Sequence, residues 1–191
     1  MKRLFRIIVN AYIDFSVQRR FCGGTVKAVH NKLADAKATS NSNYNDIAIV
    51  FFTLLKIEPQ DVIVDVGCGK GRVLNFLLYK GVKNKIIGVE INSNVALLTR
   101  NALKRFSNVS IIDSNINDTF PIDGTIFYLY NPFGLNSIVE FSNLFKSLKN
   151  NFKIVYLSPT HKDVFINDNF YDTKLVFNEN LTYPVLIVTK K

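Results

Sequence analysis

The chain has 191 residues, 48% hydrophobic and 20% charged, which is a domain-sized globular composition and excludes a disordered chain. No stretch of about 18 apolar residues is free of charge, so a transmembrane span is excluded as well. Lys and Arg number 24 against 15 Asp and Glu, a net charge of +9, and the excess is uneven. Residues 1–40 hold eight basic side chains (Lys2, Arg3, Arg6, Arg19, Arg20, Lys27, Lys32, Lys37) and two acids (Asp14, Asp35), so +6 of the +9 lies there. A polyanionic partner would meet that segment first.

Two cysteines, Cys22 and Cys68, cannot build a disulfide framework and fit a reducing cytoplasm. Asn10 and Asp14 interrupt the apolar start, and no small-residue cleavage site follows, which argues against a signal peptide. His30 and His161 stand far apart with no Cys or His at ligand spacing, so no metal site is expected. The sequence shows no internal repeat.

In chain order, residues 2–20 predict an amphipathic helix with Leu4, Phe5, Ile8, Tyr12 and Phe15 on one side and basic residues at both ends. Its readings are a cover over the sheet edge or cleft, a membrane-surface helix or a nucleic-acid arm. The polar stretch 38–46 reads as a linker, which divides the chain into a basic helical extension, 1–42, and a main domain, 43–191. Residues 47–56 predict a helix capped by Asn45 or Asp46 and stopped before Pro59. Val62–Val66 reads as a buried strand, 71–79 as a helix and Lys85–Glu90 as a second strand. A helix capped by Ser93 runs to about Phe106 and leads to a third strand at 109–112. A fourth strand at 125–130 precedes a helix capped by Asn136, with Ile138, Phe141, Phe145 and Leu148 on one face. Residues 152–157 form a fifth strand, and 171–177 with 185–189 a closing antiparallel hairpin. Alternating strands and helices imply a three-layer α/β/α sandwich, Rossmann-like, with a seven-stranded mixed sheet and one antiparallel strand.

The chemistry gathers at Asp65-Val66-Gly67-Cys68-Gly69-Lys70-Gly71, where a strand ends and a helix begins. The glycines allow a tight turn and close approach of a ligand to backbone. The third glycine comes one residue earlier than in the dinucleotide fingerprint, and an acid stands two residues before the first. Asp65 would repel a pyrophosphate and suits an ammonium or sulfonium group. Glu90, 19 residues past Gly71, ends the second strand, where an acid can accept both hydroxyls of a ribose. The alternative is a plain glycine turn in another α/β protein. Asp65 and Glu90 in register with the alternating pattern favour an adenosyl ligand with a ribose and an amino-acid tail.

Residues 44–191 resemble the class I S-adenosylmethionine-dependent methyltransferases, the small bacterial kind without an assigned substrate. Asp65, Gly67, Gly69 and Gly71 match the family's first motif, Glu90 its ribose-binding acid, and the final antiparallel strand its sheet. The resemblance implies that Cys68 and Gly69 pack on the methionine moiety of S-adenosyl-L-methionine. It also implies that Asn115, with Ile116, meets the adenine where the family usually has Asp; Asp113 is the alternative. Asn131-Pro132-Phe133, after the fourth strand, is similar to a motif that holds a planar nitrogen, with one proline fewer, and makes Asn131 both a catalytic and a cofactor-contacting candidate; alternatively it is only a turn. Tyr44 could close over the cofactor or pack. Cys68 lacks a paired His and is not read as a nucleophile.

The expected activity is S-adenosylmethionine-dependent methyl transfer to an N or O atom of a protein amine, a sugar or lipid intermediate, or RNA. The alternative is an inactive S-adenosylmethionine-binding protein acting as a membrane- or RNA-associated partner. The expected location is the cytoplasm, with the membrane surface as the further option, and residues 1–40 as the contact to an anionic partner.

Overall fold

A computed structural model of the protein describes residues 2–22 and 42–191. Expectations placed on His30 and on residues 38–41 lie outside these. Seven strands form one sheet: β1 (Val62–Val66), β2 (Lys85–Glu90), β3 (Val109–Asp113), β4 (Ile126–Tyr130), β5 (Lys153–Leu157), β6 (Tyr171–Val176) and β7 (Val185–Lys190). The spatial order is β3-β2-β1-β4-β5-β7-β6. The first five are parallel, and β7 runs antiparallel to both β5 and β6. The expected mixed α/β sandwich is therefore present.

The β-branched runs are buried on both faces because helices cover both. On one side Ile63, Ile86 and Tyr128 pack with Leu74 and Leu77 of α3 (Arg72–Tyr79) and with Ala96 and Leu103 of α4 (Ser93–Leu103). The same cluster takes in Ile47 of α2 (Tyr44–Ile49), and Ile13 and Val17 of α1 (Lys2–Gln18). On the other side Val64, Phe127 and Leu129 meet Ile138 and Phe141 of α5 (Leu135–Leu144), then Phe145 and, from the single turn α6 (Asp163–Ile166), Phe165.

Several boundaries differ from the sequence reading, each for a local hydrogen-bonding reason. Asn43, not Asn45 or Asp46, caps α2, and the helix passes into a π turn, Val50–Leu54, before stopping. Asp46 is buried instead, and its Oδ1 accepts from the Thr182 backbone N–H at 2.9 Å and from the Thr182 hydroxyl. Asn92 rather than Ser93 caps α4, accepting from Val95 N–H. The chain enters α5 from Gly134, so Asn136 lies inside the first turn. Thr125 stands outside β4 because its hydroxyl donates to Asp61 and accepts from Val62 N–H.

The face of α1 is also corrected. Its buried side is Ile13, Asp14, Val17 and Gln18, whereas Ile8, Tyr12 and Phe15 are exposed, Tyr12 by 65%. Leu4 and Phe5 have no described side chains. Among the described residues no helix is long and apolar enough to cross a membrane.

Gly88 in β2 makes room for the site. A Cβ there would lie 2.8 Å from Cys68 Sγ and 2.9 Å from Ile111 Cδ1. Gly88→Ala should therefore destabilise the fold by about 1–3 kcal/mol through overpacking, measured by urea unfolding. Adding Cys68→Ala should recover part of that loss. An additive double variant would mean that the two positions do not compete for space.

Candidate active site

After β1 the chain leaves the sheet through residues 67–71 and enters α3 at Arg72. Gly67, Gly69 and Gly71 have φ of +75°, +52° and +75°, the left-handed region that costs other residues about 1–2 kcal/mol each. The turn is tied from several directions. Val89 O accepts from both Gly67 and Cys68 N–H, at 2.8 and 2.9 Å. Glu90 Oε2 accepts from Gly69 N–H at 2.8 Å, and its Oε1 accepts from Asn92 N–H at 2.9 Å. From α4 the Thr99 hydroxyl donates to Gly69 O at 2.9 Å. From the end of α1 Gln18 Nε2 donates to Lys70 O and Gly71 O at 3.0 and 3.1 Å, and Arg20 reaches Lys70 O and Thr99 Oγ1.

Asp65 sits beneath this turn in the most central part of the sheet, paired in register with Gly88 and Tyr128. It is 3% exposed, and its Oδ2 has no hydrogen-bond partner among the described residues. Burial, then the charge of Glu90, push its carboxyl up to about 8. Glu90 is also raised by burial, with the backbone N–H groups of Asn92 and Gly69 opposing. The Cys68 thiol is pushed well above its ordinary range by burial, then by Asp65 and Glu90. It is a neutral packing group, not an activated nucleophile.

β4 lies beside β1, so the two strands deliver their carboxyl ends to one cleft where the strand order reverses. Asn131 follows β4 with φ +44°, and its Oδ1 accepts from the Tyr156 hydroxyl of β5 at 3.0 Å. A Cβ on Gly67 would lie 3.2 Å from Pro132 Cβ, so the strand-end turn and the glycine turn are in contact.

Past β3, Asn115 folds its own loop: its Oδ1 accepts from Asn117 N–H, and its carbonyl accepts from Asp118 and Thr119 N–H. Ile116 is buried in the same cluster as Val66, Val89 and Phe133. Asp113 pairs with Glu90 in register and is exposed. Tyr44 is a packed interior residue. Its hydroxyl donates to Asp14 and accepts from Asn75 at 2.9 Å, and its ring stacks on Phe76 under the Arg72 guanidinium. Asp14 also accepts from Cys22 N–H.

Asp65, Gly67, Cys68, Gly69, Gly71, Glu90 and Asn131 are thus brought together at one edge, with Asn115 and Ile116 on the β3 side. Gln18, Thr99, Tyr156 and Gly88 escaped the sequence reading, because each acts through a partner distant in the chain. The arginine directly after Gly71 was the one local signal left unread.

No family model matches the chain. A curated relative, the probable cobalt-precorrin-6B C(15)-methyltransferase (decarboxylating) of Archaeoglobus fulgidus, is 33% identical over 75 residues, 39% of this chain and 44% of that protein. The match thus spans less than half the length of that relative. Among solved structures, an RNA methyltransferase from Salinibacter ruber in complex with S-adenosyl-L-homocysteine superposes with a TM-score of 0.55 at 18% identity, covering 80% of this chain and 93% of that one. A SAM-dependent O-methyltransferase from Thermotoga maritima gives 0.57 at 17% identity, covering 80% and 67%. The chain has the class I methyltransferase fold. The glycine turn and Asn131 of this methyltransferase fold sit at the carboxyl edge of its sheet, where open α/β sheets bind ligands.

The raised Asp65 carboxyl fixes a pH dependence. The folded protein holds a proton there between about pH 4 and 8 that the unfolded chain has released, so stability falls as pH rises through that window. Urea unfolding at pH 5 and pH 8 should show wild type losing stability relative to Asp65→Asn. Parallel behaviour of the two proteins would mean that Asp65 is ionised throughout.

Proposed function

We propose that the protein is a methyltransferase that binds S-adenosyl-L-methionine across residues 67–71 and passes its methyl group to an N or O atom of an acceptor held at Asn131. The observation that carries this reading is Asp65, a carboxyl buried under a glycine turn with an oxygen that none of the described residues satisfies. A buried polar oxygen without a partner is costly, and a cationic ligand supplies the missing partner. The donor set fits S-adenosyl-L-methionine, with an acid for the positive group and a second acid one strand away for a diol. A pyrophosphate carries no positive charge to answer an ionised Asp65.

When bound, that cofactor supplies a methyl group on positively charged sulfur. The chain's contribution is positioning and electrostatics. Asp65 gives up its proton to stand as the counter-charge. Glu90 uses one lone pair on each oxygen to hold Gly69 and Asn92, and the remaining lone pairs accept from ribose hydroxyls. Asn115 and Ile116 border the adenine side, and Cys68 and Gly69 the methionine side. Asn131 is fixed by its left-handed backbone and by the Tyr156 hydroxyl, and its side-chain amide orients an N–H or O–H of the incoming group. Residues 1–40, carrying +6, draw an anionic acceptor or surface towards this edge.

Calorimetry with S-adenosyl-L-methionine and transfer of a tritiated methyl group to lysate fractions of protein, RNA and small molecules test the reading. Binding together with label in one fraction is expected; a protein that takes up neither contradicts it. Glu90→Gln should weaken cofactor binding by about 1.5–3 kcal/mol. Asn131→Ala should cut the transfer rate by about a hundredfold and leave cofactor affinity within about twofold. Tyr156→Phe should follow Asn131→Ala in direction with a smaller loss. Unchanged turnover in Asn131→Ala would reduce the strand-end motif to a turn.

A further inference from the structure

A second cleft opens beside Tyr130, the last residue of β4. It encloses about 270 Å³ and is lined by Asn10 of α1, Asn43, Arg72, Tyr130 and, from the β6–β7 loop, Tyr183. The Tyr130 and Tyr183 rings lie 5.9 Å apart. The loop is fastened to α2 by two contacts: Asn45 Nδ2 donates to Asn180 O at 2.7 Å, and Asp46 accepts from the Thr182 N–H and hydroxyl. Asp46 also lines the cleft, but its Oδ1 is spent on Thr182.

Arg72 stands out in this lining. Its guanidinium lies 4.4 Å over the Tyr44 ring, so the side chain is held in place by stacking. Its Nε is buried and has no hydrogen-bond partner among the described residues. None of the ion pairs among the described residues includes it. A permanently charged, oriented fork with a desolvated donor lacks what it is built to bind, which is a pair of anionic oxygens. Besides the Asp46 carboxylate, the other lining groups are amides, phenols and the Thr182 hydroxyl, which can donate to the same oxygens. Tyr130 immediately precedes Asn131, so a ligand anchored at Arg72 would extend toward the transfer position.

We propose that this cleft is the anchoring site for an anionic group of the methyl acceptor, a carboxylate or a phosphate, and that Arg72 is its principal recognition residue. The assignment of that anion to an acceptor rests on the function proposed above; the anion site itself does not. It narrows the acceptor to a molecule carrying an anionic group close to the methylated N or O atom.

Calorimetry on the full chain with inorganic phosphate, and separately with S-adenosyl-L-homocysteine, tests this. Phosphate should bind wild type, and Arg72→Gln should weaken it about tenfold or more. The exposed control Lys83→Gln should leave it unchanged. Arg72→Lys, which keeps the charge and loses the fork, should fall between. S-adenosyl-L-homocysteine affinity should stay within about twofold in Arg72→Gln, and saturation with that compound should not displace phosphate. Phosphate binding that is absent, or indifferent to Arg72→Gln in a folded variant, overturns the proposal. So does a tenfold loss of S-adenosyl-L-homocysteine affinity with competition between the two ligands, because the guanidinium would then hold the cofactor's own carboxylate. If the phosphate results hold while S-adenosyl-L-homocysteine fails to bind wild type, the cofactor assignment falls and the anion site stands.

Discussion

The carboxyl edge of the sheet depends on the backbone turn between β1 and α3. Three glycines in the left-handed region fold five residues into a loop too tight for side chains, and the loop has little stability of its own. It is held because β2, α4 and α1 each supply a partner for it. Val89 and Glu90 hold its amides, and Thr99, Gln18 and Arg20 hold its carbonyls. The N-terminal helix is thus tied to the same loop as the central strands. Its position is reinforced by Asp14, whose carboxylate gathers Cys22 N–H and the Tyr44 hydroxyl. Glycine turn, strand-end turn and α1 form one mechanical unit, and Pro132 against Gly67 closes it.

This arrangement isolates Asp65. Asp65 Oδ2 has no hydrogen-bond partner among the described residues, and burial and the charge of Glu90 are what act on the acid. Such a group costs stability in the free protein, and a strained or unsatisfied site is where function is expected to recover the cost. Arg72 has the opposite charge and a similar condition, a buried nitrogen without a partner among the described residues, in the cleft beside Tyr130. Of the two orphaned groups, one suits a cation and the other an anion.

Much of this was legible in the sequence because it is local. Val62–Val66 and Lys85–Glu90 are short β-branched runs bounded by turn residues, and the glycine spacing with Asp65 and Glu90 is a pattern a few tens of residues long. The final pair, Tyr171–Val176 and Val185–Lys190, betrayed its antiparallel pairing by leaving no room for a crossover helix. The buried face of α1 was not legible. The helix carries apolar residues all round, with Ile8, Tyr12 and Phe15 on one side and Ile13 and Val17 on the other, and periodicity cannot choose between them. Asp14 decides it through Tyr44, 30 residues away. Helix caps were misplaced because Asn is abundant, and Asn43 and Asn45, or Asn92 and Ser93, are equally good by type. Gln18 and Tyr156 were invisible as site residues because their partners lie 52 and 25 residues distant. Asn115, assigned by analogy of position, proves to spend its carbonyl oxygen on its own loop.

The central claim is that Asp65 is neutral in the free protein and becomes the counter-charge of a bound cation. Titration calorimetry of S-adenosyl-L-methionine at pH 7, repeated in buffers of different ionisation enthalpy, counts the protons exchanged on binding. With the carboxyl at about 8 in the free protein and ionised in the complex, wild type should release about one proton, and Asp65→Asn should release none. Binding by wild type with no proton released would contradict the account.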